Sequence, residues 1–296
     1  MDSLVEPEDL RDPVTQPPWG QIGRNFTLGM VSLAGKFVLQ VCNRMDIKDH
    51  ARLTQLVMHR PPGTGLITVS NHASTFDDPG LLSALLPWHY FWSEGQHGGV
   101  RWSLCARDIC FRGWFLSQFF LNGKVLPIDR GGGMQQPIMN VAARQVQRGK
   151  WLHVFPEGKL FVDGSMGPFK WGIGKMVCDS MEHGRRQPVI LPLFHSGMGR
   201  VLPKGSVVPR VGHEVTVLVG EPIDLSDITC RCNQSDIDQQ QVWKEITARI
   251  RAAMVELEDK APPNWVQEER TRPLPPRTPS VDVQQVAVES RLSTPL

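Results

Sequence analysis

A histidine and an aspartate five residues apart are the first candidates for chemistry in this chain. The segment from Asn71 to Pro79 reads NHASTFDDP and contains His72 and Asp77 just after a short apolar run. On one continuous helix, five residues rotate two side chains about 140° apart. A turn between a strand and a helix can instead bring the carboxylate to Nδ1 of the imidazole. Nε2 would then be available to accept the proton of a hydroxyl group.

The same residues also allow a structural interpretation. His72 would then end a strand, and Asp77 would cap a helix. Asp78 directly precedes Pro79, and an aspartate before a proline is typical of a helix start. Taken alone, the His–Asp spacing does not decide between the two interpretations, but three further segments favour the catalytic one.

The first of these three segments contains an arginine. The stretch from Gly123 to Gly131 reads GKVLPIDRG, so that Arg130 stands where an apolar run ends. A guanidinium in this position is well suited to bidentate binding of a phosphate. The alternative is a surface ion pair between Arg130 and its neighbour Asp129.

A carboxylate and a glycine follow the next apolar run, in the stretch FPEGK from Phe155 to Lys159. Glu157 could accept a hydrogen bond from a polyol, and Gly158 would allow close approach of a ligand to the backbone. An ordinary strand–loop junction is the alternative. The run ILPL at 190–193 adds a fourth strand end. Ligands of open α/β sheets bind beyond the carboxyl ends of the strands, so we expect these segments to meet at one edge.

The elements that would position these residues alternate between strands and helices. Short apolar runs predict strands, and periodic apolar residues predict helices. This alternation predicts an α/β fold with a mixed, largely parallel sheet flanked by helices. The predicted strands are 66–69, 125–128, 151–155, 189–194 and 215–219, and the predicted helices include 137–148 and 236–257.

The two ends of the chain differ in composition from its middle. Residues 1–18 are acidic and contain four prolines, which predicts a mobile lead-in. Residues 259–296 contain seven prolines and few large apolar residues, which predicts a disordered tail. Residues 19–258 would then form a single domain, a normal size for an α/β fold.

The most apolar stretch, residues 26–41, is too short to span a membrane as a helix. Sixteen residues give about 24 Å, against roughly 30 Å of hydrocarbon. Two aromatic clusters, 88–92 and 114–121, favour contact with lipid headgroups. We therefore predict that 26–41 is an interfacial helix on a membrane surface. A buried core helix with packed aromatics is the alternative.

Composition excludes some classes of protein. The 32 basic and 30 acidic residues nearly balance, so nothing in the charge favours a nucleic-acid partner. The six cysteines form no C-x-x-C pair, so we expect no metal site and, in a chain of this length, reduced thiols. The acidic N-terminus has neither a secretory nor a transit sequence in standard form.

Together, these segments resemble the four ordered blocks of the glycerophospholipid acyltransferase superfamily. Those blocks are H-x4-D, a G-x-x-P/F-I-x-R-like block, F-P-E-G and a hydrophobic block with proline. The resemblance covers roughly residues 19–255. Within this superfamily, four further segments resemble the transacylases that remodel cardiolipin. They are ARDICF (106–111), FKWGIGK (169–175), ILPLFHSGM (190–198) and VTVLVGEPI (215–223).

The resemblance implies a role for each matching residue. His72 would be the general base, with Asp77 selected over Asp78 as its partner by the five-residue step. Arg130 would bind the lysolipid phosphate and Glu157 the glycerol side of the acceptor, and Gly158 completes the F-P-E-G block.

The resemblance also implies phospholipid and lysophospholipid substrates, monolysocardiolipin among them, with no metal, CoA or bound cofactor. It further implies residence at mitochondrial membranes. An acyl-CoA-dependent lysophospholipid acyltransferase would use the same residues, and a lipid carrier without catalysis is a third interpretation. The sequence identifies no protein partner.

Overall fold

The computed structural model describes residues 12–92, 99–162 and 165–261. Residues 1–11 of the expected lead-in and all but the first three residues of the expected tail lie outside these ranges. In the described part of the lead-in, the carboxylate of Asp12 accepts a hydrogen bond from Nε of Arg144 at 3.1 Å.

The strands fall into two sheets. They are β1 (Arg44–Lys48), β2 (Leu66–Ser70), β3 (Ser103–Ala106), β4 (Val125–Ile128), β5 (Trp151–Val154), β6 (Val189–Ser196) and β7 (Glu214–Val219). Five strands form a sheet in the order β1-β7-β6-β2-β5, and β3 pairs with β4. A parallel bridge between Trp102 and Leu152 joins the β3–β4 pair to β5.

Strand direction decides which ends meet. β2 runs parallel to both β5 and β6, and β3 runs parallel to β4. β7 is antiparallel to β6, and β1 is parallel to β7. The sheet is therefore mixed and largely parallel, which confirms the predicted fold class. The carboxyl ends of β2, β5 and β6 meet at one edge, and the reversal between β6 and β7 brings the start of β7 to that same edge.

Helices cover both faces of the sheet. They are α1 (Gly20–Lys36), α2 (His50–His59), α3 (Leu82–Ala84), α4 (Arg107–Cys110), α5 (Trp114–Asn122), α6 (Pro137–Gln147), α7 (Gly172–Asp179), α8 (Met198–Val201), α9 (Ser226–Thr229) and α10 (Gln239–Asp259). A wider π turn, Phe37–Val41, continues α1, and a second one, Asp77–Leu81, leads into α3. Single 3-10 turns lie at Pro13–Thr15, Trp88–Phe91 and Glu182–Gly184.

Alternating side chains of β2 contribute to two apolar cores. Ile67 and Val69 pack in a cluster with residues of α6, α7 and α10. Leu66 packs on the opposite face with residues of α2 and α3. Successive side chains of a strand point to opposite faces, so a strand covered on both sides reads as a continuous apolar run. This explains why the central strands could be predicted from the sequence.

Among the elements that were not predicted, three have weak apolar patterns. β1 has charged side chains at alternate positions and lies at the edge of the sheet, where it pairs with β7. β3 has four residues, three of them only partly buried. α2 buries just Leu53 and Val57.

The cysteines also differ from expectation. Cys178 forms a disulfide with Cys232, and Cys105 forms one with Cys110. The prediction of reduced thiols is therefore wrong for these four residues. Cys178 and Cys232 are 54 positions apart and meet only through the packing of α7 near the start of α10, so sequence spacing gave no sign of the pair.

α1 and its π turn have their large apolar side chains on the outer surface. The exposed residues follow steps of three and four, which defines one stripe along the helix. We call this the α1 stripe: Ile22, Phe26, Met30, Leu33, Phe37 and Val41. No helix in the described part of the chain is long and apolar enough to cross a membrane.

The buried face of α1 carries mainly small and polar residues, including Thr27, Gly29, Ser32 and Gly35. A Cβ atom added at Gly29 would lie 2.4 Å from the ring of Trp92, so a glycine is needed for this close approach. The helix is therefore amphipathic in the opposite sense from an ordinary surface helix, whose apolar stripe faces the core.

The aromatic clusters divide between surface and core. Trp88, Trp114 and Phe115 are exposed, whereas Tyr90 and Phe91 are buried. The interfacial interpretation of the aromatic clusters is therefore wrong for Tyr90 and Phe91, because these rings fill the core on the α2–α3 face of the sheet.

Candidate active site

β2 leads the chain to the carboxyl edge of the sheet, where Asn71 fixes the backbone next to His72. The side-chain amide of Asn71 donates to the carbonyl oxygen of His195 at 2.9 Å. Its Oδ1 accepts from the backbone N–H of His195 at 3.0 Å. These two bonds attach the side chain of Asn71 to the backbone at the end of β6. The backbone next to His72 is therefore held in place.

The turn after β2 brings His72 and Asp77 into contact. Nδ1 of His72 lies 3.0 Å from Oδ2 of Asp77. The same oxygen accepts hydrogen bonds from the backbone N–H groups of Ala73 at 2.8 Å and Ser74 at 2.9 Å. A carboxylate can only accept, so the proton of a neutral His72 lies on Nδ1, and Nε2 keeps a lone pair. The turn thus forms the pair that the spacing predicted.

The imidazole of His72 is also held by its face. Its ring stacks on Phe155 with 3.9 Å between centroids and 16° between planes. The carbonyl oxygen of His72 accepts a hydrogen bond from the backbone N–H of Phe161 at 2.8 Å. The side chain of His72 is 21% exposed, whereas that of Asp77 is fully buried. The arrangement fits a base that meets a substrate and a carboxylate that orients it.

Asp78 has a different partner from Asp77. Its carboxylate pairs with the guanidinium of Arg101, whose Nε lies 2.8 Å from Oδ1. Both side chains are buried. Burial by itself would raise the pKa of Asp78, but Arg101, His153 and a hydrogen bond from Ser103 together hold it below its usual value. The expected helix cap is wrong for Asp78, because an internal ion pair takes its side chain.

A chain of hydrogen bonds fixes His153 of β5. Nε1 of Trp151 donates to Oγ1 of Thr68 at 2.9 Å, and that oxygen lies 2.8 Å from Nδ1 of His153. Oγ of Ser70 donates to the carbonyl oxygen of Asn71 at 3.1 Å, so it accepts from Nε2 of His153 at 3.2 Å. The chain ends at the backbone next to His72.

His153 stays neutral in the folded protein. Burial lowers the pKa of His153 to about 3. The charge of Arg101 and the rings of His195 and His72 act in the same direction, against the opposing effect of Asp78. A buried neutral ring of this kind supports the site without exchanging protons with substrate.

His195 supports the same turn from β6. Its Nε2 lies 2.8 Å from the carbonyl oxygen of Asn71 and 3.6 Å from Oδ2 of Asp77. The ring is fully buried. Both His153 and His195 are buried and hydrogen-bonded within the protein. The contact between His195 and Asp77 was not predicted, whereas Thr68 and His153 are direct partners in the register of β2 and β5.

Glu157 and Gly158 form a tight turn after β5. The N–H of Gly158 donates to the carbonyl oxygen of Phe155 at 3.1 Å, and Gly158 has φ +66°. The N–H of Lys170 donates to the carbonyl oxygen of Pro156 at 2.9 Å, which secures the turn. Glu157 is buried. The structure thus brings this turn next to His72, because Phe155 stacks on its ring.

Arg130 lies beyond the carboxyl end of β4, with 58% of its side chain exposed. It pairs with Asp108 at 3.3 Å and not with Asp129, which binds Nε of Arg107 at 2.7 Å. Because β4 is joined to the main sheet through β3 and Trp102, Arg130 is on the same edge as the dyad. An exposed guanidinium there is available to an anion.

Comparisons with known proteins identify the family of this chain. The Acyltransferase family model matches residues 52–196, which include His72, Asp77, Arg130, Glu157 and His195. A tafazzin of Drosophila melanogaster is 38% identical over 78% of this chain. A protein of Dictyostelium discoideum named taffazin is 34% identical over 76% of this chain and 79% of its own length. The chain belongs to the acyltransferase family.

Another relative of similar identity is not named as a tafazzin. An N-acylphosphatidylethanolamine synthase of Arabidopsis thaliana is 37% identical over 75% of this chain and 78% of its own length. The chain spans 60% of the length of the Drosophila tafazzin.

A solved structure, the 1-acyl-sn-glycerophosphate acyltransferase PlsC of Thermotoga maritima, shares the fold with a TM-score of 0.52. It is 16% identical, and the match covers 81% of this chain and 82% of PlsC.

In the described ranges, no group of three or more His, Cys, Asp or Glu side chains is arranged to hold a metal ion. The histidines near the dyad are engaged by hydroxyl and carbonyl groups instead.

Proposed function

We propose that this acyltransferase moves a fatty acyl chain between a phospholipid and a lysophospholipid at a membrane surface, without CoA. The observation that carries the proposal is the dyad at the sheet edge, with Nδ1 of His72 3.0 Å from Oδ2 of Asp77. A base held in one tautomer by a buried carboxylate is suited to removing the proton of an alcohol.

The reaction would proceed in two proton transfers. Nε2 of His72 takes the proton of the lysophospholipid hydroxyl as its oxygen attacks the ester carbonyl of the donor phospholipid. Asp77 stabilises the imidazolium that forms. When the tetrahedral intermediate collapses, His72 returns the proton to the departing alkoxide, which leaves as the new lysophospholipid. One oxygen ester breaks and another forms, so the reaction is close to thermoneutral and reversible.

The remaining site residues would bind the acceptor. Arg130 is exposed and can exchange Asp108 for a lipid phosphate, because an exposed ion pair contributes little to stability. We assign Glu157 to the glycerol side of the acceptor and Gly158 to the close backbone approach at the same turn. Because Glu157 is buried, the glycerol would have to enter the turn that follows β5 to reach it.

A membrane surface would bring both substrates to the site. Each buried CH2 group is worth about 0.8 kcal/mol, so long acyl chains do not readily enter water. The α1 stripe supports an interfacial position, since its six large apolar side chains are on the outside of the helix while small and polar residues are inside. Trp88, Trp114 and Phe115 add exposed aromatic rings of the kind found at headgroup level.

The resemblance to cardiolipin-remodelling transacylases supports two finer assignments. We infer that monolysocardiolipin is an acceptor and that the protein acts at mitochondrial membranes, on the surface rather than across it.

Two alternatives keep the same dyad. An acyl-CoA thioester could replace the phospholipid donor, because His72 would activate the acceptor hydroxyl in the same way for attack on a thioester or an oxygen-ester carbonyl. The Arabidopsis relative carries a name that specifies acylation of phosphatidylethanolamine, so the acceptor could instead be an amine.

An acyl-exchange assay with purified protein distinguishes these reactions. Vesicles would contain phosphatidylcholine with a labelled acyl chain and an unlabelled lysophospholipid, with no CoA present. We expect label to move to the lysophospholipid with the wild-type chain and not with His72→Ala. The exposed His183, in the 3-10 turn after α7, supplies the control variant His183→Asn, which should exchange normally.

Three results would contradict the proposal. Exchange by His72→Ala at the wild-type rate would exclude the dyad. Activity that appears only with acyl-CoA would support the thioester alternative. Label that accumulates as an amide of phosphatidylethanolamine would support the amine acceptor.

A further inference from the structure

The loop between α8 and β7 exposes three valines within five residues. Val207 is 91% exposed, Val208 69% and Val211 67%. A single exposed apolar side chain is ordinary on a protein surface, whereas a contiguous group at the tip of one loop indicates a binding surface. We call residues 203–212 the valine loop.

The valine loop lies at the carboxyl edge of the sheet, beside the dyad. It joins the end of β6 to the start of β7, and both ends are on that edge because the two strands are antiparallel. Oγ of Ser74 donates to the carbonyl oxygen of Leu202 at 2.8 Å, directly before the loop. The N–H of Ser74 donates to Oδ2 of Asp77. One residue therefore connects the loop to the catalytic carboxylate.

The other side of the valine loop is bound to the end of the α1 stripe. Nδ2 of Asn43 donates both to the carbonyl oxygen of Val38, at 2.8 Å, and to that of Arg210, at 3.0 Å. The N–H of Gly212 donates to the carbonyl oxygen of Cys42 at 2.9 Å. The backbone of the valine loop is thus fixed to the segment that directly follows Val41.

The loop has the charge and the internal bonds expected of a part that contacts anionic lipid. Lys204 and Arg210 are exposed, and residues 203–213 include no aspartate or glutamate. Cations beside an apolar tip match the phosphates of anionic headgroups. The N–H of Ser206 donates to Pro203 O at 2.9 Å, and that of Arg210 donates to Val201 O at 2.7 Å. These bonds close the loop and present the valines outwards.

We propose that the valine loop inserts into the same anionic phospholipid surface as the α1 stripe, as a second and separate point of contact. This inference rests on the proposed membrane-surface enzyme and adds a partner surface to it. A protein that contacts a bilayer through one helix can rotate about the axis of that helix. A second contact away from the axis would prevent this rotation. The valine loop is bonded to Ser74 in the dyad turn, and α1 and its π turn are bonded to Ala84 further along the same segment through Lys36 and Gln40. Together the two contacts would hold the site against the lipid.

The first test measures whether the loop tip enters the lipid. An environment-sensitive dye is attached at Val207→Cys in a chain that also carries Cys42→Ser and Cys230→Ser, so that the two disulfides remain the other cysteines. Vesicles of phosphatidylcholine with added phosphatidylglycerol should shift the dye emission to the blue and protect it from an aqueous quencher. A dye at the exposed Ala252→Cys of α10 is the matched control and should show no shift.

Each outcome of this test has a defined meaning. Binding of the chain to the vesicles without any change of the dye at position 207 would overturn the inference and leave the proposed function intact. Failure of the wild-type chain to bind vesicles at all would overturn both. A size-exclusion mass of a dimer that becomes a monomer in Val207→Asp would assign the loop to a second copy of this chain and overturn the lipid assignment.

The second test measures the consequence for activity. Val207→Asp with Val208→Asp should weaken partition into the anionic vesicles by about tenfold or more, because two apolar side chains are lost and two charges are introduced. Acyl exchange should fall on vesicles but remain near wild type with short-chain lipids below their micelle concentration. Ala252→Asp should change neither. Equal activity of the double variant and the wild-type chain on vesicles would contradict the inference.

Discussion

Two adjacent carboxylates take opposite roles because each has its own fixed partners. Asp77 accepts from two backbone N–H groups and from His72, whereas Asp78 pairs with the buried Arg101. The first arrangement orients the imidazole of His72, which we propose as the base, and the second is an internal ion pair. Replacement of each should therefore affect a different property.

Asp77→Asn should lower acyl exchange and leave stability nearly unchanged. The asparagine oxygen can still accept from Ala73 and Ser74, but the charge that orients and stabilises a protonated His72 is lost. We expect a loss of activity of about 100- to 10,000-fold. Asp78→Ala should instead cost about 3–5 kcal/mol of unfolding free energy, since it leaves Arg101 as a buried charge. Chemical denaturation and exchange assays check both, and the reverse pattern would exclude these assignments.

Arg130 allows a test of phosphate binding that is separate from folding. The Arg130–Asp108 pair is more than half exposed, so Arg130→Gln should change stability by less than about 1 kcal/mol. It should raise the KM for lysophospholipids by about tenfold or more, since a charge-assisted contact is lost. The KM for an acceptor without phosphate, such as a monoacylglycerol, should not change.

Asp108→Asn is the matched control for that prediction, because it removes the same ion pair but keeps the guanidinium. It should leave the lysophospholipid KM unchanged or lower it. An equal rise of KM in both variants would mean that the ion pair itself, and not phosphate binding, is what matters.

At the scale of elements, α1 is distinguished by which of its faces is buried. Its small buried residues let it approach Trp92 and the backbone of Gly80 closely, while its large apolar residues stay outside. Packing explains the first choice but not the second, because exposed phenylalanine and leucine side chains add nothing to the core. The proposed contact with lipid would account for the second.

Met30→Asp with Leu33→Asp should therefore act on membrane binding and not on folding. Both residues are exposed, so the thermal unfolding midpoint should stay within a few degrees of the wild-type value. Sedimentation with anionic vesicles should fall by about tenfold or more. Ala252→Asp serves again as the control. A large fall in the unfolding midpoint would show that the stripe belongs to a protein interior.

At the scale of the whole molecule, the buried His153 makes stability depend on pH. The pKa of His153 is lowered to about 3 in the folded state, against an ordinary value of 6.5. The unfolded chain therefore binds a proton between these limits that the folded chain does not. Stability is fully present above the unfolded value and is lost as pH falls, at up to about 1.4 kcal/mol per pH unit.

His153→Gln should remove this dependence. Between pH 7 and pH 5 the wild-type chain should lose about 2 kcal/mol more of unfolding free energy than the variant, whatever the variant's stability at pH 7. Denaturant titrations at the two pH values measure the difference. Asp78, whose pKa is held below its usual value, contributes its own loss only at lower pH. Parallel pH dependence in both chains would show that His153 is not the group responsible.

The sequence by itself determined the central sheet and the dyad. Strands such as β2 and β6 are buried on both faces, so their apolar runs are visible without any partner. His72 and Asp77 are close in sequence, so a single local turn is enough to bring them together. The strand ends that carry Arg130 and Glu157 could be placed at one edge because the sheet is largely parallel.

Only the tertiary structure decided the partners that are distant in sequence. Arg101 meets Asp78 across 23 residues and His195 meets Asn71 across 124, and neither contact leaves a periodic pattern. The same holds for the exposed face of α1, since an apolar stripe reads the same whether it faces a core or a bilayer. The position of the valine loop beside the dyad likewise depends on the reversal between β6 and β7. Such features depend on which surfaces pack against each other, and spacing along one chain does not record that.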